Sequence, residues 1–308
     1  MAQTACGASP RAASRSSPEV GDVMRLYRTT LGLARGDGDA LLLLDLPHPD
    51  VGSLLADDIA RVRTARVTDR VTPGSVTLLA PVSAPATVVV VGANYRDHVV
   101  EAGIVMPAAP QFFPVSAGRD FFTAHGSPIV LPAEAPGHVD YEAELAVVIG
   151  TGGKDIRATD AWHHVGGQAV ANDETARDVQ VRGMRDGSVV DLPVIQRSKT
   201  FPTFKPLGPV VVTPDEFTQP LDLTITTHVN GEQRQKSRTS DMLFSVAEII
   251  EAVSASITLA PGDVILTGTP AGVGLASGTY LKAGDTVAVA IDGIGELRNA
   301  VTAGGLPG

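Results

Sequence analysis

Glu142 and Glu144 stand two residues apart in the run Val139-Asp-Tyr-Glu-Ala-Glu-Leu-Ala-Val-Val-Ile149. An extended strand sends alternate side chains to opposite faces. Val139, Tyr141, Ala143, Leu145, Val147 and Ile149 then form a core stripe, while Asp140, Glu142, Glu144, Ala146 and Val148 line the other face. Glutamates at i and i+2 sit roughly 7 Å apart on one pleat, and like charges so placed need bulk water or a cation. A solvated sheet face accounts for the pair as well, although Ala146 and Val148 turn that same face apolar. Oxygen ligands alone select a hard cation, Mg²⁺ or Mn²⁺, over Zn²⁺. The chain has no HExxH motif and one cysteine, Cys6. His163 and His164 are adjacent, and sequence neighbours rarely converge on one ion, so they read as surface residues.

Further reactive types lie on either side. Asn172-Asp173 follows an apolar run and is helix-starting chemistry. A helix from there places Asp173, Arg177 and Gln180 near one face, at i, i+4 and i+7. That gives a third carboxylate with an arginine for an anionic group, or merely a capped surface helix. His98 and Glu101 are at i and i+3 in a short helical segment. A carboxylate beside an imidazole orients it and raises its basicity, as a general base requires, though a structural ion pair has the same spacing. Lys199 and Lys205 precede a strand and are read either as site lysines or as surface ones. Thr267-Gly-Thr-Pro-Ala-Gly-Val-Gly274 is a glycine loop that lets backbone approach a ligand or only shapes a turn. P-loop, GxGxxG and GxSxG patterns are missing, which disfavours nucleotide binding and serine hydrolysis.

The elements that must carry these residues are short strands divided by turns: "TVVVVGANY", "PIVLP", "DYEAELAVVIG", "GPVVVT", "LDLTITTHVNG", "DVILTGTPAGVG" and "DTVAVAIDGIGELRNAV". One helix is clear, because Ser245 and Glu248 make a capping box and Val246, Ile249, Ile250 and Val253 one apolar stripe. Regular βαβ alternation is lacking. The expected fold is therefore α+β and β-rich, a sandwich or rolled barrel with a few helices. Residues 1–19 read as a disordered tail, 20–80 as a small N-terminal domain, and 87–304 as the main domain. A hairpin is expected around Arg35-Gly36-Asp37-Gly38, and a helix over 53–63.

With 308 residues the chain can bury a full-sized core. Its net charge of −10, without a basic run, argues against nucleic acid. No apolar stretch approaches the ~18 residues of a membrane span, and a single cysteine fits a reducing, cytoplasmic setting. Arg11 and Arg15 in a Ser/Ala-rich start hint at a transit segment, but no amphipathic pattern supports it.

Taken in order, Gly92-Ala-Asn-Tyr-Arg-Asp-His98 with Glu101, "DYEAELAVVIG", "ANDETARDVQ", "KTFPTFKPLGP", "VNGE" with "TSDMLFSV", and "LTGTPAGVG" resemble the fumarylacetoacetate hydrolase family across residues 88–303. The resemblance implies a mixed β-sandwich roll, usually dimeric, so a homodimer is expected. It implies metal ligands at Glu142, Glu144 and Asp173, a catalytic His98–Glu101 dyad and an active-site Lys199. Substrate contacts fall at Arg177, Gln180 and Thr269. Val115 departs from the pattern, standing where relatives commonly carry a lysine. The implied substrate is a small 2-oxo acid and the implied cofactor Mg²⁺ or Mn²⁺. The expected reaction is hydrolysis of a C–C bond in a 2,4-dioxo acid by water activated at His98. Isomerisation or decarboxylation of a 2-oxo or 2-hydroxy-dienoate dicarboxylic acid of aromatic breakdown is the alternative, and a non-catalytic binder of metal and 2-oxo acid a third reading.

Overall fold

The computed structural model describes residues 24–83, 85, 87–115 and 121–304; the expected tail over 1–19, with Cys6, lies outside them. Valine-rich runs set the architecture. Val88–Gly92, Ala143–Ile149, Val165–Asn172, Val210–Val212 and Val264–Leu266 are strands buried along nearly their whole length. β-branched residues favour the pleated backbone, and near-continuous apolar runs are what a strand covered on both faces requires. These strands are the middle of an eleven-stranded sheet. Its path runs from Val67–Val71 through Ala40–Leu44, Gly32–Asp37, Arg25–Thr29, Val210–Val212, Val165–Asn172, Ala143–Ile149, Val264–Leu266 and Val88–Gly92 to Gln111–Val115, and Leu78–Leu79 pairs with Arg25–Thr29. The N-terminal meander joins through Leu26, which lies opposite Val211.

A second sheet of five strands holds Glu232–Arg238, Thr224–Val229, Thr286–Ile291, Gly295–Ala303 and Ile129–Leu131. Leu145, Val147 and Ile149 share a core with Ile225, Val289 and Ile291 of this sheet, and with Ile249, Ile250 and Val253 of helix Val246–Ser256. The intervening Ala146 and Val148 enter a different core with Val88, Val90, Leu54 and Leu55. The fold is thus the β-rich α+β sandwich expected. At about 1.5–3 kcal/mol for each fully buried Leu, Val or Ile, Leu145, Val147, Val148 and Ile149 hold their strand in place against the cost of burying Glu144.

Several local expectations change. The acidic strand is interrupted at Tyr141–Glu142: Val139–Asp140 pairs with Thr175–Ala176 instead of continuing the large sheet. Val139 and Tyr141 consequently pack with Ile129, Leu131 and Phe204 in a third cluster rather than extending one stripe. The hairpin turn lies at Gly38–Asp39, with Arg35–Asp37 inside the strand, and Asp37 faces Ala40. The helix expected over 53–63 is two pieces, Val51–Asp57 and Arg61–Thr64, because Asp58 is extended and its side chain accepts from the Ala60 amide at 2.9 Å. No helix starts at Asn172. Its side chain is taken by the Glu142 amide (2.8 Å) and by Glu174 Oε1 (2.6 Å), and helix begins only at Arg177.

Candidate active site

Strand register brings the acids together. Ala143 lies opposite Asn172 and Glu144 opposite Ala171, so Glu144 and Asp173 meet where the two strands end. Glu142 stands at the interruption, tied to the neighbouring strand end by its carbonyl, which accepts from the Asp173 amide at 2.9 Å. One oxygen each from Glu142, Glu144 and Asp173 lies within 4.8 Å of the others, and all three residues are buried.

Three cations face this cluster. Lys199 Nζ is 2.6 Å from both Glu142 Oε2 and Asp173 Oδ2, and donates to Thr175 Oγ1 at 2.9 Å. Lys205 Nζ lies 2.6 Å from Asp173 Oδ1 and is anchored by the carbonyls of Lys199 and Phe204. Arg177 uses all three nitrogens on protein: Nε donates to Asp140 Oδ2 (2.8 Å), Nη2 to Glu142 Oε1 (2.7 Å) and Nη1 to Gln180 Oε1 (2.7 Å). The buried set is therefore Asp140, Glu142, Glu144, Asp173 and Glu174 against Arg177, Lys199 and Lys205. Five carboxylates against three cations leave a formal excess of two negative charges away from water, which a divalent cation would balance.

The acids respond unequally. Burial raises Glu144 well above the usual carboxylate range, and the Asp173 charge adds to it. Burial also pushes at Glu142, but Lys199 and then Arg177 more than offset it and hold that carboxyl well below its ordinary value. Burial works against the Lys199 ammonium, yet Asp173 and Glu142 raise its pKa overall. Glu144 and Glu174 form no ion pair with any described residue. Burial raises Glu174 as well, and its contact is Asn172 (2.6 Å), whereas Glu144, the member of the trio without a cation, accepts at Oε2 from the Gly268 amide at 2.6 Å. A hard cation coordinated by the three oxygens would supply that charge, so the donor set fits Mg²⁺ or Mn²⁺.

His98 and Glu101 lie on helix Arg96–Glu101 and face each other, with His98 Nδ1 3.0 Å from Glu101 Oε1. Glu101 also accepts from the Gly272 amide, at 3.1 and 2.9 Å to its two oxygens. Burial would raise Glu101, but the His98 contact and the Gly272 amide bring it below its ordinary value. Gly272 has φ +100°, and a Cβ there would stand 2.2 Å from the Arg234 carbonyl oxygen, so only glycine fits the position. One loop joins the pair to the acids: its Gly268 amide donates to Glu144 and its Gly272 amide to Glu101. In the same loop Thr269 Oγ1 accepts from Gln235 Nε2 at 2.9 Å.

The structure thus gathers Glu142, Glu144, Asp173 and Lys199 into one cluster, with the His98–Glu101 pair beside it. Arg177 meets Asp140 and Glu142 instead of pairing along a helix with Asp173. Val115 is a core residue opposite Val88 on the strand Gln111–Val115. Sequence reasoning missed Asp140, which accepts from Arg177 and from the amides of Gly274 (2.6 Å) and Leu275 (2.8 Å). Its position two residues before Glu142 on the same face was the available signal. Of the two lysines left open between site and surface, Lys205 too belongs to the cluster; Gln235 was missed, and no local pattern marks it.

The model of the fumarylacetoacetate (FAA) hydrolase C-terminal domain matches residues 87–302. The chain belongs to the fumarylacetoacetate hydrolase family. Mitochondrial oxaloacetate tautomerase of Bos taurus is 42% identical over 285 residues, covering 88% of this chain and 87% of the relative. Among solved structures, 2-hydroxyhepta-2,4-diene-1,7-dioate isomerase of Mycobacterium marinum has TM-score 0.71 and 35% identity, over 92% of this chain and 100% of that one. Maleylpyruvate hydrolase of Sphingobium sp. SYK-6, solved with manganese(II) and pyruvate, has TM-score 0.73 and 28% identity over the same shares. This family enzyme therefore has isomerases and a hydrolase among its similar structures.

Proposed function

We propose that this enzyme interconverts the enol and keto forms of a small 2-oxo dicarboxylic acid of the oxaloacetate class, with Mg²⁺ or Mn²⁺ held by Glu142, Glu144 and Asp173. The observation that carries the reading is the oriented His98–Glu101 pair together with the buried trio Glu142, Glu144 and Asp173, whose oxygens lie within 4.8 Å of one another. Likeness to an oxaloacetate tautomerase over 88% of the chain supports the choice of reaction. Glu142, Glu144 and Asp173 would hold the cation, which when bound would supply Lewis-acid stabilisation of negative charge on a 2-oxo oxygen.

The protein's own groups do the rest. Glu101 accepts from His98 Nδ1–H, which leaves Nε2 as the basic nitrogen that takes or returns a proton at the carbon next to the 2-oxo group. Gly272 fixes Glu101, and through it the imidazole. Lys199 adds positive charge beside the 2-oxo end, while Arg177 keeps Glu142 and Asp140 in register. Gln180 steadies Arg177, and Thr269, held by Gln235, offers its hydroxyl hydrogen toward substrate.

A second reading keeps hydrolysis of a 2,4-dioxo acid. The same pair can deprotonate water, and the similar maleylpyruvate hydrolase was solved with manganese and pyruvate. One experiment separates them. Enol oxaloacetate and an acylpyruvate are each followed at the enol absorbance, with Mg²⁺ or EDTA, and products are analysed. Accelerated loss of the oxaloacetate enol without release of pyruvate, abolished by EDTA and by His98→Ala, is expected. Cleavage of acylpyruvate to pyruvate and a carboxylic acid, with no effect on the oxaloacetate enol, would overturn the tautomerase in favour of hydrolysis.

A further inference from the structure

A cleft of about 380 Å³ opens beside the acid–base pair, within the size range of small-molecule sites. Its walls are the neighbours of residues already described. Arg96 and Asp97 precede His98 on the same helix, Pro270 and Ala271 link Thr269 to Gly272, and Lys236 follows Gln235. Tyr95 forms another part of the wall at 1% exposure, and its hydroxyl has no hydrogen-bond partner among the described residues. Burial, with the charges of Glu144 and Asp241, keeps that phenol protonated and so a donor. Contacts join the cleft to the cluster: Asn94, next to Tyr95, donates to the Thr267 carbonyl at 2.8 Å, and the following Gly268 amide donates to Glu144.

The charges of the cleft are not equally free. Asp241 already accepts from Ser237 Oγ at 2.9 Å and from the Arg238 amide at 3.0 Å. Asp97 sits in the first helical turn, where negative charge is favoured. Arg96 and Lys236 form no ion pair with any described residue, and both are exposed. The lining thus offers two exposed cations without ion-pair partners among the described residues and a buried hydroxyl donor, beside Asp241, whose carboxylate is already hydrogen-bonded, and the exposed Asp97.

We propose that this cleft is the distal subsite of the active site, where Arg96 and Lys236 bind the far carboxylate of an extended 2-oxo dicarboxylic acid and the Tyr95 hydroxyl donates to its chain-borne oxygen or to that carboxylate. A four-carbon diacid held at the cluster by its 2-oxo end reaches only two carbons further, so the subsite favours acids longer than oxaloacetate. The inference rests on the reading of the cluster as a 2-oxo acid site, and the test separates the two.

Calorimetric titration of the Mg²⁺-loaded full chain with 2-oxoadipate and 2-oxohexanoate compares ligands that share head and chain length and differ in the far carboxylate. Wild type is expected to prefer 2-oxoadipate by about tenfold or more, as a charge-assisted contact provides. The Arg96→Gln/Lys236→Gln double variant should bind the two within about twofold of each other, and Tyr95→Phe should weaken 2-oxoadipate several-fold. A wild type without preference, or a preference surviving in the double variant, overturns the subsite. If neither 2-oxo acid binds, adipate against hexanoate decides: adipate binding that the double variant loses keeps the subsite and sinks the 2-oxo acid reading. Absence of adipate binding in that case overturns the subsite too.

Discussion

On the N-terminal meander Arg66 meets Asp45 at 2.7 Å, and the two side chains are 73% and 58% exposed. In the carboxylate cluster Arg177 meets Asp140 at the same 2.7 Å, with exposures of 5% and 0%. The groups and the distance are alike, and the surroundings reverse their meaning. Water around Arg66 screens the attraction and replaces either partner when it is lost. No water replaces Arg177, so Asp140 and Glu142 would be stranded without it. The meander can vary its charges freely. The cluster cannot, because each of its charges is held in place by the others.

The largest expected effect is that of Arg177→Ala, which should cost about 3–5 kcal/mol of unfolding free energy, as for other buried pairs stripped of one partner. Denaturant unfolding measures it, and a loss under 1 kcal/mol would erase the contrast with the meander. Gly272→Ala should cost about 1–3 kcal/mol, since it forces a side chain onto a strained backbone position and toward the Arg234 carbonyl. Loosening Glu101 should lower kcat more than it raises KM; unchanged kinetics would detach Gly272 from the acid–base pair.

Glu144→Gln sharpens the comparison from the opposite side. Because the folded-state pKa of Glu144 is raised, its ionisation opposes folding of the metal-free protein as pH climbs above the ordinary glutamate value. Removing that charge should raise the melting temperature in EDTA at pH 8, by roughly 2–4 °C for each kcal/mol relieved, and abolish the rise that Mg²⁺ gives the wild type. A lower melting temperature in EDTA would mean that Glu144 is already compensated. Glu101 has the opposite sign. Its pKa lies below the ordinary 4.5, so its contribution is complete above that pH and disappears as pH falls through the lowered value. The stability gap between wild type and Glu101→Gln should be full above the ordinary 4.5 and close as pH falls from there through the lowered folded-state value, as acid unfolding of the two proteins would show. Smallest of all is Arg66→Ala, expected to change stability by about 0–1 kcal/mol; a larger loss would show the meander to be less tolerant than its exposure indicates.

Much of this was legible in the sequence, for identifiable reasons. Val88–Gly92, Ala143–Ile149 and Val264–Leu266 are apolar runs that no helix-length pattern competes with, and the Ser245–Glu248 box fixes the start of helix Val246–Ser256. Glu142 and Glu144 declared themselves by standing on a strand face that turns apolar at Ala146 and Val148. What stayed hidden depended on distant partners. Glu232–Arg238, EQRQKSR, is an edge strand with no apolar alternation, yet Gln235 within it is 1% exposed and holds Thr269. Lys205 stayed open between site and surface because its local sequence favours neither, and only the fold brings it to Asp173. Asn172-Asp173 reads as a cap because its side chains are cap-forming, but Asn172 spends its hydrogen bonds on Glu142 and Glu174.

The central claim is that the buried trio is a divalent-cation site whose missing positive charge belongs at Glu144. Titration of metal-free protein with Mn²⁺, read by electron paramagnetic resonance of the free ion, tests it most directly. One ion should bind per chain in the wild type, and Glu144→Gln should weaken it by about a hundredfold, or roughly 2.7 kcal/mol. Equal affinity in the two proteins, or no saturable binding in the wild type, would contradict the account.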